Sequence, residues 1–154
     1  MPVEYNVVIA DTTCFIILSK IDKLQILKQL FTTITTTETV AKEFGQPLPT
    51  WIIIHSEKDT YYKDILEVEV DKGEASAIAL AFEFEKPLLI LDDLKARKLA
   101  EKLHLNYIGT FGILLKAKEI GVIEAIKPLL KEIQLTNFRF SESMLKEILS
   151  IAGE

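Results

Sequence analysis

The sequence predicts an α/β domain, a mainly parallel central sheet flanked by helices, and three observations predict it. Two short apolar runs, Val7-Val-Ile-Ala10 and Pro87-Leu-Leu-Ile-Leu91, lack polar alternation and read as strands buried on both faces. Each is followed at once by acidic or hydroxyl residues and then by a helical apolar pattern. The strand and helix patterns alternate through most of the chain, which requires helical crossovers between parallel strands.

Taken in order, Val7-Val-Ile-Ala10 leads through Asp11-Thr-Thr13 into Phe15-Ile-Ile-Leu18, Ile21, Leu24, Leu27 and Leu30, a spacing that predicts helices. Residues 36–44 read as a helix stopped by Gly45. Residues 46–55 carry two prolines before the apolar Trp51-Ile-Ile-Ile54 and are expected to form a loop with a peripheral strand or flap; residues 56–64 are strongly polar. Ala75, Ile78, Ala79 and Phe82 hold helical spacing over 73–84. After the strand at 87–91, Leu94, Ala96, Leu99, Ala100 and Leu103 share one helical face. Asn106-Tyr-Ile108 reads as a third short strand, followed by a helix over 111–120 with Gly121 as its stop. Amphipathic helices are expected at about 123–133 and 141–151. With no repeat, linker or low-complexity stretch, residues 1–154 are expected to form a single domain.

Composition excludes several function classes. At 49% apolar and 27% charged, with 6 Gly and 5 Pro, the chain is neither disordered nor collagenous. The lone cysteine, Cys14, rules out an internal disulfide framework and a multi-cysteine zinc site. No apolar run approaches the roughly 18 to 20 residues of a membrane span, and Met1-Pro-Val-Glu-Tyr5 lacks a basic leader, so no membrane partner and a cytoplasmic location are expected. A net charge of −5, with Arg97 and Arg139 the only arginines, argues against a basic clamp for nucleic acid. Nucleic acid is still admissible as a substrate if a metal ion reverses the local sign.

In an open parallel sheet, ligands bind beyond the carboxyl ends of the strands. Asp11 follows the first strand, and Asp92 and Asp93 follow a later one, so all three should emerge on that edge. Each could simply cap the helix that follows it, although one N-cap position needs only one of the Asp92-Asp93 pair. Asp71-Lys-Gly-Glu74 has the form of a capping box, and Thr35-Thr-Thr-Glu38 fits the same box. Glu43 is different, because it lies in the last turn of its helix, where a carboxylate opposes the helix dipole by roughly 0.3 to 1 kcal/mol. A nearby cation would explain it. If these acids converge, two carboxylates about 4 Å apart repel by roughly 4 kcal/mol at an effective dielectric near 20. A hard divalent ion offsets that cost, and can activate water for displacement at phosphorus.

The order Val-Ile-Ala-Asp11-Thr-Thr, Val40-Ala-Lys-Glu43-Phe, Asp71-Lys-Gly-Glu74-Ala-Ser-Ala and Leu-Ile-Leu-Asp92-Asp93 resembles the PIN-domain nucleases. Asp92-Asp93-Leu-Lys-Ala-Arg97-Lys-Leu-Ala100 and Ile108-Gly-Thr-Phe-Gly-Ile-Leu-Leu-Lys-Ala-Lys118 point to the DUF3368 branch, relatives of VapC-type toxins, with a likeness running from about 7 to 150. The resemblance implies a Rossmann-like PIN fold and an endoribonuclease dependent on Mg²⁺ or Mn²⁺. It also implies RNA as substrate, a homodimer, and a small antitoxin protein as partner in a toxin-antitoxin pair. Position by position, it implies Asp11, Glu43, Glu74 and Asp92 or Asp93 as catalytic and metal-holding acids, with Glu74 standing where many members have Asp. Thr12 matches the small hydroxyl residue beside the first acid, where it would orient a carboxylate or water. Arg97 follows the acidic pair on its helix and has the fork geometry that suits an RNA phosphate. The principal rival is a PIN-fold module that binds RNA or a partner protein without catalysis. A phosphatase or receiver domain is a third reading, weakened because Asp11-Thr-Thr13 has no second acid close to the first.

The other polar residues have structural readings. His55 and His104 share no ligand spacing, Cys14 reads as a small core residue, and Thr110 reads as a helix cap. Trp51, Tyr61 and Tyr62 suit either base stacking or a packed flap. Ile123, Ile126, Leu129, Leu130, Met144, Leu145, Ile148, Leu149 and Ile151 are more apolar surface than a small core requires, so part of it is expected to bury a second subunit.

Overall fold

In the computed structural model, which describes residue 5, residues 7–56 and residues 60–154, five parallel strands form one sheet in the order β3-β2-β1-β4-β5. The strands are β1 (Val7–Ala10), β2 (Ile34–Thr37), β3 (Ile52–His55), β4 (Pro87–Ile90) and β5 (Asn106–Ile108). The helices among the described residues are α1 (Thr12–Lys20), α2 (Gln25–Phe31), α3 (Glu38–Phe44), α4 (Thr60–Leu66), α5 (Lys72–Ala81), α6 (Leu94–Lys102), α7 (Thr110–Glu119), α8 (Lys127–Gln134) and α9 (Glu142–Ile151). The expected Rossmann-like α/β architecture is therefore present, and every strand pairing is parallel.

The alternation of side chains along each strand divides the core in two. Val8, Ala10, Leu88 and Ile90 face one layer, where they meet Phe15, Leu18, Leu27, Ile113, Leu114 and the late helices. Ile9, Leu89 and Leu91 face the other, packed on Ala75, Ile78, Ala96 and Ala100 of α5 and α6. Small residues on α5 let it lie close to the sheet, and its residues 73–81 are all buried.

Two expectations are corrected. Residues 34–37 form β2, and the helix starts only at Glu38; the β-branched run Ile34-Thr-Thr-Thr37 is paired on both sides and wholly buried, which overrides its polar composition. Its cap is Thr37, whose hydroxyl accepts from the Val40 amide, and not Thr35. Residues 52–55 form the edge strand β3, the first of the two forms expected there, a peripheral strand or a flap. The polar stretch 56–64 contains the start of α4, while residues 57–59 of it lie outside the described residues.

The late helices mostly serve the chain's own core. Ile126, Leu129, Leu130 and Ile148 are buried in it, whereas Met144 and Ile151 remain exposed. Much of the apolar surface expected for a second subunit is thus already covered. Glu154 ties this end together, accepting from the backbone amides of Ile126 and Lys127 at the start of α8 and from Lys118 Nζ at 2.9 Å. Those amide bonds, followed by the lysine, pull its carboxyl down from the ordinary 4.5 to about 2. A lowered folded-state pKa stabilises above the unfolded value and is lost as pH falls through the folded one. Glu154→Gln should therefore lower Tm at pH 7, with the difference from the parent shrinking between pH 4.5 and 2 in thermal denaturation.

Candidate active site

The strand order sets the site. From β1 the chain winds outward through β2 to β3, then returns to add β4 and β5 on the other side of β1, so the topological switch point lies between β1 and β4. Asp11 continues β1, with its amide donating to the Ile90 carbonyl of β4 at 3.2 Å. Asp92 lies just beyond β4. The two carboxylates flank the crevice where an open parallel sheet offers its binding site.

Asp11 occupies the N-cap position of α1, yet no side-chain capping hydrogen bond is formed. Its side chain is buried, and Oδ1 has no hydrogen-bond partner among the described residues. Burial pushes this carboxyl from 3.8 up to about 7, against the pull of the Thr12 amide; Asp71, Glu43 and Asp92 add repulsion. Capping therefore does not account for Asp11.

Glu43 reaches the same region from the last turn of α3. Gly45 ends that helix in the left-handed conformation (φ +72°), which leaves the carboxylate at the helix terminus. Thr12 Oγ1 donates to Glu43 Oε2 at 2.9 Å. A Cβ on Gly73 would stand 2.6 and 2.7 Å from the two Glu43 oxygens, so the absence of a side chain there makes room for the carboxylate against α5. Thr12 is thus an orienting donor, and Gly73 is a cradle that sequence reading missed.

Glu74 forms the expected capping box: its amide donates to Asp71 Oδ1 at 2.8 Å, and its Oε1 accepts from the Asp71 amide at 3.2 Å. The box does not remove it from the site. Burial raises its carboxyl from 4.5 to about 8, opposed by the Asp71 amide and reinforced by the charges of Asp71, Asp11 and Asp93. Asp71 is the acid that sequence reading assigned only to capping, although its charge acts on both Asp11 and Glu74. The start of α5 is held against β2 by buried hydroxyls, Thr37 to Ser76 at 2.7 Å and Ser76 to the Gly73 carbonyl at 2.7 Å, while Thr36 donates to the Ala10 carbonyl beside Asp11.

Asp92 and Asp93 diverge. Asp93 caps α6, accepting from the Ala96 amide at 3.0 Å, and faces Glu74. Asp92 adds its charge to the repulsion at Asp11 and is gripped by Thr110, whose amide donates to Oδ1 at 2.8 Å and whose hydroxyl donates to Oδ2 at 2.6 Å. The helix cap expected of Thr110 is therefore wrong: Gly109 holds the N-cap position, and Thr110 clamps an acid from the opposite strand. Arg97 is fixed by the Leu91 carbonyl at 2.8 Å and lies over Tyr107. Its Nη2 fills the space a Cβ on Gly109 would need, only 1.8 Å away, with Asp92 Oδ1 3.1 Å from that same position. Arg97 thus supports the Asp92 side of the crevice from beneath.

This oxygen-only donor set, with one buried oxygen unsatisfied, suits a hard divalent cation. As they stand, no three acidic, histidine or cysteine side chains among the described residues close on a single point. The arrangement is an open one, with carboxylates on both sides of the switch point.

Asp11 and Glu74 carry raised pKa values, so without metal they contribute most stability below about 4, and lose it as pH rises through about 7 and 8. The chelated protein should show a Tm that falls from pH 5 to pH 8. Asp11→Asn should flatten part of that slope and raise Tm at pH 8 by several degrees, since 1 kcal/mol is worth about 2 to 4 °C at this size. Calorimetry in chelator across that range checks the sign.

No curated protein and no solved structure is significantly similar to the chain. The family profile of DUF3368, a PIN domain, matches residues 7–154. That span takes in all five strands and every acid around the switch point, and the chain belongs to the DUF3368 family of PIN domains.

Proposed function

We propose that the protein is a divalent-metal-dependent endoribonuclease, hydrolysing RNA phosphodiester bonds in the crevice between β1 and β4. The PIN fold is of nuclease type, and such nucleases generally use divalent metals. The observation that carries the reading is Asp11: a buried carboxylate oxygen with no partner among the described residues, under the charge of three further acids, at the position where this topology binds ligands.

Asp11, Glu43, Glu74 and Asp92 would hold Mg²⁺ or Mn²⁺, with Asp93 serving through its charge beside Glu74 rather than as a first choice of ligand. Such an ion would neutralise the cluster and supply Lewis-acid stabilisation to the phosphate and the attacking water. Thr12 fixes the Glu43 carboxylate, and Thr110 fixes that of Asp92, so both sides of the crevice are oriented before substrate arrives. Arg97 favours phosphate by its charge, but its ties to Leu91 and Tyr107 make it foremost a support for the Asp92 side of the crevice.

The rival reading, a PIN-fold module that binds RNA or protein without catalysis, is favoured by the engagement of Glu74 in its capping box and of both Asp92 oxygens by Thr110. Carboxylate oxygens accept more than one bond, so neither engagement removes them as ligands. The family resemblance further supports a homodimer, a small antitoxin protein as partner, and a cytoplasmic site of action. No helix among the described residues is long and apolar enough to cross a membrane.

Labelled single-stranded RNA incubated with the protein should be cleaved in Mg²⁺ or Mn²⁺ and spared in chelator. Asp11→Asn should abolish cleavage while keeping the far-ultraviolet circular dichroism of the parent. RNA binding without cleavage under all metals would favour the rival. Thr110→Val should weaken metal affinity, read by titration calorimetry, by about 10- to 100-fold, the usual effect of losing a residue that orients a ligand. Sedimentation at micromolar concentration should give a dimer; a monomer would remove that part of the proposal.

A further inference from the structure

An acidic crevice in a chain of net charge −5 poses a problem for a polyanionic substrate, because the charge around the reacting phosphate repels the rest of the strand. One surface beside the crevice has the opposite sign. Lys95, Lys98 and Lys102 stand three and four positions apart on α6, which places them on one helical face. All three are exposed, and none forms an ion pair among the described residues. They line a groove of about 400 Å³ with Leu99, Val68 and Glu69.

The position of this groove gives the ridge its meaning. Val68 and Glu69 lie just before Asp71, and Lys95 lies just after Asp93, the two acids that face Glu74. The groove lies between the turn that leads to Asp71 and the helix that Asp93 caps, and the lysines carry it along α6 away from Asp93 for about 10 Å, the rise over seven helical residues. Glu69 is the one carboxylate among its described lining residues, and Glu101, on the same helix, is directed to the Tyr107 hydroxyl at 2.5 Å. Val68 is 85% exposed and offers an apolar surface at the rim.

We infer that the Lys95-Lys98-Lys102 ridge is the track for the phosphate backbone of single-stranded RNA leading into or out of the crevice. This inference rests on the nuclease reading and deepens it. A single line of ammonium groups follows one backbone, and lysine, as a point charge on a flexible stem, contacts phosphates without reading bases. Strand binding through the ridge is therefore independent of sequence and sensitive to salt. An acidic peptide could meet the same charges, but only a substrate strand must also place a phosphate at the acids next to Lys95.

The test uses the full chain carrying Asp11→Asn, so that RNA survives, and measures the Kd of fluorescent oligouridine and of a mixed-sequence strand in Mg²⁺ between 50 and 200 mM salt. Lys95→Gln, Lys98→Gln and Lys102→Gln together should weaken both strands by at least about tenfold at low salt and reduce the salt slope by about 2, at 0.7 per phosphate contact. A control removing Lys23, Lys28 and Lys131, which lie on the opposite side of the sheet, should leave Kd and slope unchanged. Equal loss in the control, or no loss in the ridge variant, overturns the track. So does a duplex bound as tightly through the same lysines, or polyglutamate competing with equal affinity in a ridge-dependent way. Cleavage by the parent chain, assayed alongside, separates the two claims: with cleavage retained, an unaffected Kd sinks the track alone. A parent that neither cleaves nor binds RNA sinks the nuclease reading and the track with it.

Discussion

A carboxylate at the end of the central strand, buried with one oxygen unpartnered among the described residues, is the constraint around which this molecule is arranged. Removing a charge from water without compensation is costly, and the protein responds in part by holding the Asp11 proton up to about neutral pH. The surrounding residues do not relieve the strain; they add to it. Glu43 from α3, Asp92 beyond β4, and Asp71 with Glu74 at the start of α5 are brought toward Asp11, and the approaches are secured by dedicated donors or gaps: Thr12 for Glu43, Thr110 for Asp92, the Gly73 cradle, and the buried hydroxyls of Thr37 and Ser76 that seat α5. Structure spent on holding like charges together is intelligible when a cation completes the site.

The two core layers make this arrangement rigid. Because each strand is buried on both faces, the backbone at the switch point cannot shift without disturbing both α1 with α7 on one side and α5 with α6 on the other. Glu43 stands in the last turn of α3, Glu74 in the first turn of α5, and Asp11, Asp71 and Asp93 at the N-caps of α1, α5 and α6, so helix packing on the sheet sets where these acids stand. This is the geometry in which first contacts are most precise. The ridge on α6 extends the same logic: a helix whose buried face fixes Asp93 at its first turn presents its opposite face to solvent, and that face is cationic.

The acidic constellation was readable because strand, acid and helix recur in register with one another. Asp11 and Asp92 could be assigned to one edge from parallel topology alone, and Glu43 stood out because an acid at a helix carboxyl end is locally unfavourable. Glu74 was ambiguous by nature, since a capping box and a site acid use the same carboxylate; here it forms the box while the charges of Asp11 and Asp93 act on it. Thr110 was misread as a cap because its partner lies eighteen residues away, across from β5 to the end of β4. Asp71 was missed as a site member for the opposite reason: a local motif explained it completely.

Local pattern therefore carried the fold class, the carboxyl edge of the sheet and the identity of most of the acids, because periodicity and the chemistry of strand ends are properties of short segments. It could not carry the β2 strand, whose threonines are polar by composition and buried only because neighbours pair on both sides. Nor could it distinguish Asp92 from Asp93, adjacent residues whose carboxylates part company through contacts with α7 and α6. Those outcomes depend on which distant groups a side chain meets, and that is fixed only when crossover helices and strand order bring them together.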